Sequence, residues 1–401
     1  MSQKLNDHIE LLVLTQAFPP DYSGAAQQML TLGRSLRRQG HRMNVITFVG
    51  SRSQPGRATE EGITVVRLKN PSGRMHLSKI LNVVILRKTF RDLAKLANAI
   101  LLITGLSNQV ILSLLGVRGL RYFYRTSLLG FDDYESLRRA FGARRIDCFL
   151  SRASGIVTNS PAILSSFETK FSEKTALIPN AVDSDVLKSM ASAHSREETI
   201  ARNNLEASRL HAIAVGAVCK RKGVDEMVRT FARVKKLCSS AGKLLIVGPN
   251  TSSESGEVDD EYVDGIRRFI AEAGIGQDVR LCGHLDQKEL VELLGVCELF
   301  ISFSQSEGFP NALVEAMAAG CVPVVRRIPE VTDWILPPEL TGFTGDITTV
   351  DELSAAWIKM LENKSKRLEL KNVVRKKVRE DFDAAVIAGR YADFFLNRIS
   401  Q

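Results

Sequence analysis

A chain of 401 residues exceeds one ordinary domain, and predicts either two domains of similar size or one large α/β unit. Hydrophobic residues at 44% and charged residues at 25% exclude wholesale disorder, and six singly scattered cysteines (Cys148, Cys219, Cys238, Cys282, Cys297, Cys321) fit reduced cytoplasmic thiols better than a disulfide framework or a zinc site. The net charge of +9 is uneven: residues 1–180 hold 25 Lys and Arg against 12 Asp and Glu, while the remaining 29 face 33, so the first half suggests an anionic partner such as a membrane surface, nucleic acid or phosphorylated substrate.

The first apolar run, Ile9–Leu14, is of strand length and lacks the basic flank and cleavage site of a signal peptide. A loop with Pro19, Pro20 and Gly24 follows, then a helix from about Ala26 to Gln39 ended by Gly40, then a strand at Val45–Val49. This strand–loop–helix–strand unit is the signature of a parallel sheet with right-handed crossovers. Further strands are expected at Ile63–Leu68, Ala99–Thr104, Leu120–Arg125, Gly155–Thr158 and Lys174–Pro179.

Two stretches of the first half bear on membranes. Residues Arg74–Lys95 mix Arg74, Lys79, Arg87, Lys88, Arg91 and Lys95 with Ile80, Leu81, Val83, Val84, Ile85, Leu86, Phe90 and Leu93. That pattern suits a basic amphipathic helix lying on an anionic bilayer, or a surface helix packing its apolar face on the sheet. No charge occurs between Lys95 and Arg118, nearly the span of a bilayer. Asn98, Thr104, Gly105, Ser107, Asn108 and Gln109 interrupt it, so it reads as a buried strand, a turn and an apolar helix over Asn108–Val117.

After a polar stretch, Ala191–Ser208, the alternation restarts. Strands are expected at Ile213–Val215, Lys243–Val247, Val279–Cys282, Leu299–Phe303 and Val322–Val325. Helices are expected at Asp225–Lys236, Asp260–Ala273, Gln287–Leu294 and Ala312–Ala319, and from Asp351 onward the chain is helical and charged. Two open α/β domains in tandem follow, and ligands of such sheets sit beyond the carboxyl ends of the strands.

The segment Phe303–Val325 (FSQSEGFPNALVEAMAAGCVPVV) concentrates the chemistry. A strand ends, a loop carries Glu307, Gly308 and Pro310, and a helix starts near Asn311 and stops at Gly320. The helix N-terminus makes an anion site suited to a diphosphate, and Gly308 permits close backbone approach. Glu307 before the helix and Glu315 one turn inside it would serve neutral hydroxyls flanking the phosphates. Alone, such a pair better suits simply complementing the helix dipole.

The whole segment resembles the Glu-x7-Glu signature of family 4 glycosyltransferases, retaining enzymes of the GT-B fold. The resemblance extends to FPPDYSGAAQQMLTLGRSLRRQGHRMNVITF near the start, to GIVTNSPAILSSF and ALIPNAVD mid-chain, and to AVGAVCKRKGVDEMVRTF and LLIVGP beyond. It implies two Rossmann-like doubly wound domains facing a cleft, residues 1–185 on the acceptor side and 186–375 holding the nucleotide sugar. A C-terminal helix within 376–401 would pack back on the first domain. Glu307 would contact the donor sugar, Glu315 the ribose, and the amides of Phe309, Asn311 and Ala312 the sugar and diphosphate, with Gly308, Pro310 and Leu313 in the same segment. Lys222 would neutralise the diphosphate as it leaves, with Gly216 and Arg221 in the same loop and Gly24 close to the same phosphate. The base would rest near Cys282–His284.

The chain departs from the family pattern in three places. Ala217 stands where an Arg is usual, leaving Lys220 or Arg221 as substitutes. Ser23 and Gly24 replace paired glycines, and a shortened loop before Pro329-Glu330 carries Arg326 and Arg327. The acceptor loop YRTSLLGFDDYESLRR has no His. Among Thr126, Asp132 and Asp133, Asp132 is the choice for orienting the acceptor hydroxyl, against plain surface solvation. Histidines lack metal-ligand spacing, and Asp183-Ser184-Asp185 and Asp381-Phe382-Asp383 sit outside any expected nucleotide site, so neither a metal nor a cofactor is expected. No P-loop and no Gly-x-Ser-x-Gly elbow occurs.

The resulting expectation is a transferase moving a hexose from a nucleotide-diphosphate sugar to a saccharide or lipid-linked acceptor in cell-surface polysaccharide or glycolipid assembly. It would be cytoplasmic and peripheral on the inner face of an anionic membrane. Rival readings are an inactive nucleotide-sugar-binding paralogue, suggested by Ala217, and a transferase with a soluble small acceptor. Nucleic acid is not expected as a partner, because aromatics are 6% and no recognised module appears.

Overall fold

A computed structural model describes residues 8–21, 24–50, 53–69, 76–96, 99–114, 117–191, 195–340 and 349–399. In chain order the first elements are β1 (Glu10–Thr15), α1 (Gly24–Arg38), β2 (Arg42–Phe48), β3 (Gly56–Glu60), β4 (Ile63–Leu68) and α2 (His76–Leu93). Next come β5 (Ala99–Thr104), α3 (Asn108–Leu114), β6 (Tyr122–Arg125), α4 (Tyr134–Phe141), α5 (Ala143–Arg152), β7 (Gly155–Thr158), α6 (Pro161–Phe171) and β8 (Thr175–Leu177). Two helices, α7 (Ser184–Ala191) and α8 (Arg196–Arg202), precede β9 (Leu210–Val215), α9 (Val224–Leu237), β10 (Ala241–Val247), α10 (Asp260–Glu272) and β11 (Val279–Gly283). The chain continues through α11 (Gln287–Val296), β12 (Leu299–Ser302), α12 (Asn311–Ala319), β13 (Val322–Val325) and α13 (Thr332–Ile335). It closes with α14 (Val350–Glu362), α15 (Lys364–Asp381) and α16 (Ala384–Ile399).

These elements form two α/β units, residues 1–181 with 383–401, and residues 182–382. The first unit holds an eight-stranded sheet in the order β3-β4-β2-β1-β5-β6-β7-β8, parallel except where β3 pairs with β4. Strand β5 is buried at all six positions because helices cover both faces of the sheet. Its residues alternate accordingly. Ile100 and Leu102 join a core with α1 and α16, through Leu30, Leu32, Ile387, Tyr391 and Phe395. Leu101 and Ile103 join the opposite core, with Leu86, Phe90, Val110 and Phe149.

Strand β3 was not expected. Its sequence, Gly-Arg-Ala-Thr-Glu, is polar because it lies at the sheet edge, where no face demands apolar residues. The hairpin to β4 turns at Glu61 and Gly62, both at positive φ (49° and 78°), the requirement of a tight two-residue turn. The uncharged stretch becomes β5 and α3, and among the described residues no helix is long and apolar enough to cross a membrane.

Within the amphipathic segment, residues His76–Leu93 form α2, which satisfies both readings in part, while Arg74 lies outside the described residues. Leu86 and Phe90 enter the core, and Asn82 donates to the Lys69 carbonyl at 3.0 Å. Ile80, Leu81 and Val84, however, stand 60%, 58% and 57% exposed.

The second unit has a five-stranded parallel sheet in the order β11-β10-β9-β12-β13. The polar stretch Ala191–Ser208 contains α8, which starts at a capping box of Ser195 and Glu198 and is anchored by buried Thr199 and Ile200. The expected boundary at 375/376 falls inside α15. Val374 and Val378 are both fully buried there, so the unit runs on to Phe382. The first boundary likewise lies at 181/182 rather than 185/186.

Helix α16 belongs to the first unit. The Phe395 ring meets Phe123 edge-on at 4.6 Å, and Arg125 Nε donates to the Tyr391 hydroxyl at 2.9 Å. Phe395 is fully buried, so Phe395→Ala should cost roughly 3–5 kcal/mol of stability in urea unfolding. A loss below about 1 kcal/mol would show that α16 is not integral to this core.

Candidate active site

In the second unit the strand order reverses between β9 and β12, and at such a point the loops leaving the two strands diverge and open a crevice. The loop after β9 carries Gly216 to Gly223, and the loop after β12 carries Phe303 to Pro310. Glycines let the loops close on each other. Gly223 adopts φ 62°, and a Cβ there would lie 2.6 Å from the Phe303 carbonyl oxygen. Gly216 and Gly248 sit back to back at φ 147° and 143°, and a Cβ on Gly248 would lie 2.2 Å from the Gly216 carbonyl oxygen.

That contact brings Lys222 to Glu307. The Lys222 ammonium donates to Glu307 Oε1, and the Arg221 guanidinium lies 3.7 Å from Oε2. Both partners of the pair are largely shielded, with 22% of the Lys222 and 12% of the Glu307 side chain exposed. Arg221 also donates to the Ser306 carbonyl at 3.1 Å and to Glu257 at 2.7 Å, and its own carbonyl accepts from Gln305 N at 2.9 Å. Its charge therefore ties the two loops together in the ligand-free chain. Lys220 is exposed at the same turn.

Helix α12 begins beside Glu307 with Pro310 as its N-cap residue and no side-chain cap. The amides expected to face a ligand divide into two groups. Asn311 N turns to the Phe309 carbonyl at 3.0 Å, while Phe309 N and Ala312 N have no acceptor among the described residues. Phe309 anchors the loop by packing edge-on against Trp334 (6.2 Å) and Phe382 (5.8 Å), and Leu313 is core. Gly308 is buried.

Glu315 lies one turn inside α12, half-buried, and desolvation pushes its carboxyl up to about 7. It has no hydrogen-bond partner among the described residues. His284 is exposed on the loop after β11, next to Gly283 at φ 68°. Ala217 leaves no cation on its loop position. Arg326, at the end of β13, stacks 4.3 Å over the Phe303 ring and donates to Glu226 at 2.6 Å, so it braces the loop's base.

Two expected residues lie in the first unit. Gly24 is the exposed first residue of α1, while Ser23 lies outside the described residues. Asp132 is not solvated and not free. It is buried, and its carboxylate accepts from Ser127 N (2.8 Å), Ser127 Oγ (2.9 Å) and Leu128 N (2.7 Å). It braces the loop after β6 in the ligand-free chain. Desolvation still raises its pKa. Asp133 is the N-cap of α4. The two Asp-x-Asp stretches also serve helix starts: Asp183 accepts from Val186 N and Asp383 from Ala385 N.

Gly248, within the LLIVGP stretch, and Glu257 carry no expected role from sequence, yet both shape these loops. The Gly-Pro pair directly after the strand Lys243–Val247 was a legible sign of a tight turn, whereas Glu257 sits in an acidic loop where nothing sets it apart.

Family comparisons agree with this geometry. Residues 23–181 match the model described as "Glycosyl transferase 4-like domain", and residues 195–377 match "Glycosyl transferases group 1". Together with the two parallel-sheet units, they place the chain among the GT-B glycosyltransferases, with family 4-like character.

Among curated relatives, GDP-mannose:cellobiosyl-diphosphopolyprenol alpha-mannosyltransferase of Xanthomonas campestris is 39% identical over 64 residues, 16% of this chain and 17% of that protein. Glycogen synthase of Mycobacterium tuberculosis is 24% identical over 212 residues, 50% of this chain and 48% of that protein. The chain thus spans at most about half the length of these relatives.

Solved structures share the fold over nearly the whole chain. Sucrose-phosphate synthase from Thermosynechococcus elongatus superposes with a TM-score of 0.76 at 18% identity, covering 98% of this chain and 99% of that one. An Anabaena protein solved with UDP and glucose gives 0.73 at 17% identity, covering 97% and 100%.

The raised pKa of Glu315 makes stability depend on pH. Folded Glu315 keeps its proton up to about pH 7, while the unfolded chain releases it near 4.5, so its favourable contribution is complete below pH 4.5 and is lost as pH rises through 7. The penalty above that window reaches at most about 3 kcal/mol. Glu315→Gln should therefore gain on the parent protein between pH 4.5 and 7 and level off above, as read by urea unfolding at several pH values. A pH-independent difference would contradict the desolvation.

Proposed function

We propose that this protein is a retaining, hexose-transferring family 4 glycosyltransferase that uses a nucleotide-diphosphate sugar and extends a saccharide or lipid-linked acceptor. The observation that carries the reading is the convergence of Lys222 and Glu307, beside the open N-terminus of α12, where the strand order reverses. Without ligand, the two charges compensate each other. A donor would take over both halves of that compensation: its diphosphate would neutralise Lys222, and its sugar hydroxyls would hydrogen-bond Glu307.

The chemistry follows from where charge develops. As the bond to the sugar breaks, negative charge grows on the departing diphosphate, and Lys222 with the amides of Phe309 and Ala312 stabilises it in place. Glu307 is tied to Lys222 and is not poised as a covalent nucleophile. The departing phosphate instead accepts the acceptor's proton on the same face, which retains configuration. Glu315, protonated or ionised according to pH, would hold ribose hydroxyls.

A membrane-bound acceptor is supported by the first unit. It carries the positive excess, and α2 leaves Ile80, Leu81 and Val84 exposed near exposed Lys88 and Arg91. The loop after β6 adds Phe131, 73% exposed. The Xanthomonas relative, by its name, acts on a polyprenol-linked diphosphate saccharide. We place the protein at the inner face of an anionic membrane, in polysaccharide or glycolipid assembly.

Glu307→Gln should lower transfer by about 100-fold or more with the fold preserved. Lys222→Ala should lower kcat more than donor affinity, because its partner charge grows during cleavage. Sugar-nucleotide hydrolysis and transfer assays check both. Near-native turnover in folded Glu307→Gln would overturn the site, and donor binding without turnover in the parent protein would favour an inactive paralogue.

Co-sedimentation with vesicles should show binding to anionic but not neutral lipid, released by salt, since each basic residue contributes roughly 1 kcal/mol near such a surface. Equal, negligible binding to both would leave a soluble acceptor.

A further inference from the structure

We infer that the second unit carries a separate binding site for a small phosphate-bearing ligand, at the edge of its sheet opposite the Lys222–Glu307 crevice. The inference does not rest on the proposed transferase activity. A cavity of about 690 Å³ lies among α7, α8, α11, α12 and α15. That volume is within the roughly 300–1,000 Å³ of small-molecule sites.

Topology sets its place. Helices α11 and α12 run back from the carboxyl ends of the strands, and their last residues, Gly295, Val296, Ala318 and Ala319, line the cavity just before β12 and β13 begin. Lys222 and Glu307 lie where β9 and β12 end. Helix α12 spans the distance, its nine residues measuring about 13 Å.

The lining is cationic. Lys188, Arg196, Arg375, Lys376 and Arg379 face the cavity, and Glu292 is the lining carboxylate, already paired with Arg202. On α15 the lining positions Asn372, Arg375, Lys376 and Arg379 follow the spacing of a single helix face, while Leu370, Val374 and Val378 form the buried face. Three like charges within two turns repel one another, and an anion between them would relieve that repulsion.

Some of these charges already have work. Arg196 donates to the Gly295 carbonyl at 3.1 Å and is paired with Glu298 at 2.9 Å, and Arg375 donates to the Ala319 carbonyl at 2.7 Å, so each caps a helix C-terminus. Lys188 and Lys376 reach only exposed carboxylates of their own helices, Asp185 at 4.0 Å and Glu380 at 3.9 Å. Arg379 has no ion pair or hydrogen bond among the described residues.

A second observation points to a ligand independently. Ser184 lines the same cavity with 9% of its surface exposed, and its hydroxyl is buried with no hydrogen-bond partner among the described residues. A buried hydroxyl left unpaired is costly, and a phosphate oxygen would satisfy it. Guanidinium and ammonium donors arranged around one point suit a phosphate, and Leu187, Val291 and Val296 supply an apolar wall for the body that carries it.

The test is calorimetric titration of the full chain with ribose 5-phosphate and inorganic phosphate, and with ribose as the uncharged control. Ribose 5-phosphate should bind and ribose should not. The affinity should fall about tenfold or more in the double variant Lys376→Ala, Arg379→Ala, whose side chains are exposed and outside the core. It should be unchanged in Lys222→Ala, which separates this site from the donor crevice. Ser184→Ala should weaken binding without lowering the melting temperature.

A parallel sedimentation with phosphatidic acid vesicles distinguishes the source of the phosphate. Retention lost in the Lys376→Ala, Arg379→Ala variant would assign it to a lipid headgroup and support the same chemistry. Failure of both soluble phosphates and of these vesicles to bind would overturn the proposal. So would equal affinity in the folded double variant, or loss of binding in Lys222→Ala.

Discussion

The pairing of Lys222 with Glu307 is the constraint around which the second unit is arranged. The two residues are 85 positions apart and meet because β9 and β12 are neighbours whose following loops diverge. A shielded carboxylate or ammonium alone would be strongly disfavoured, and side by side each offsets the desolvation of the other. The pair needs the loops in contact, and Gly223 against the Phe303 carbonyl provides the contact that any side chain would block.

Cations around this centre are not interchangeable. Arg221 and Arg326 are both spent on holding loops, one to Glu257 and Ser306, the other to Glu226 and the face of Phe303. Lys222 is the cation that faces Glu307 directly, beside exposed Lys220. A lysine on a flexible stem can exchange a carboxylate for a phosphate with little backbone movement, whereas an arginine held at several points cannot. The alanine at position 217 fits an arrangement in which positive charge is supplied from one side.

The first unit is built on the same α/β plan with a larger sheet. Its sheet is buried on both faces, and α16 completes one of the two cores after the chain has passed through the whole second unit. Buried Arg125, held by the Tyr391 and Asn180 side chains, shows how firmly that returning helix is built in. The loop after β6 is braced from within by Asp132 and Asp133, and this frees its apolar residues Leu128, Leu129 and Phe131 to stand in solvent.

Local pattern was enough wherever one strand or one helix end carried the information. The strands at Ile63–Leu68, Ala99–Thr104, Gly155–Thr158 and Val322–Val325 were readable to the residue, because runs of apolar, mostly β-branched residues between turn residues have few alternatives. The start of α12 and the two glutamates about it were readable for the same reason. What sequence could not convey is which side chains use up one another's hydrogen bonds. Asp132 is a loop carboxylate consumed by three donors of its own loop, and the polar β3 is held as a strand only by its pairing with β4. The cationic cavity is drawn from five helices spread between Ser184 and Arg379, which no local spacing connects. Such features arise from long-range packing, where the energy of a polar group depends on neighbours that the chain brings in from far along its length.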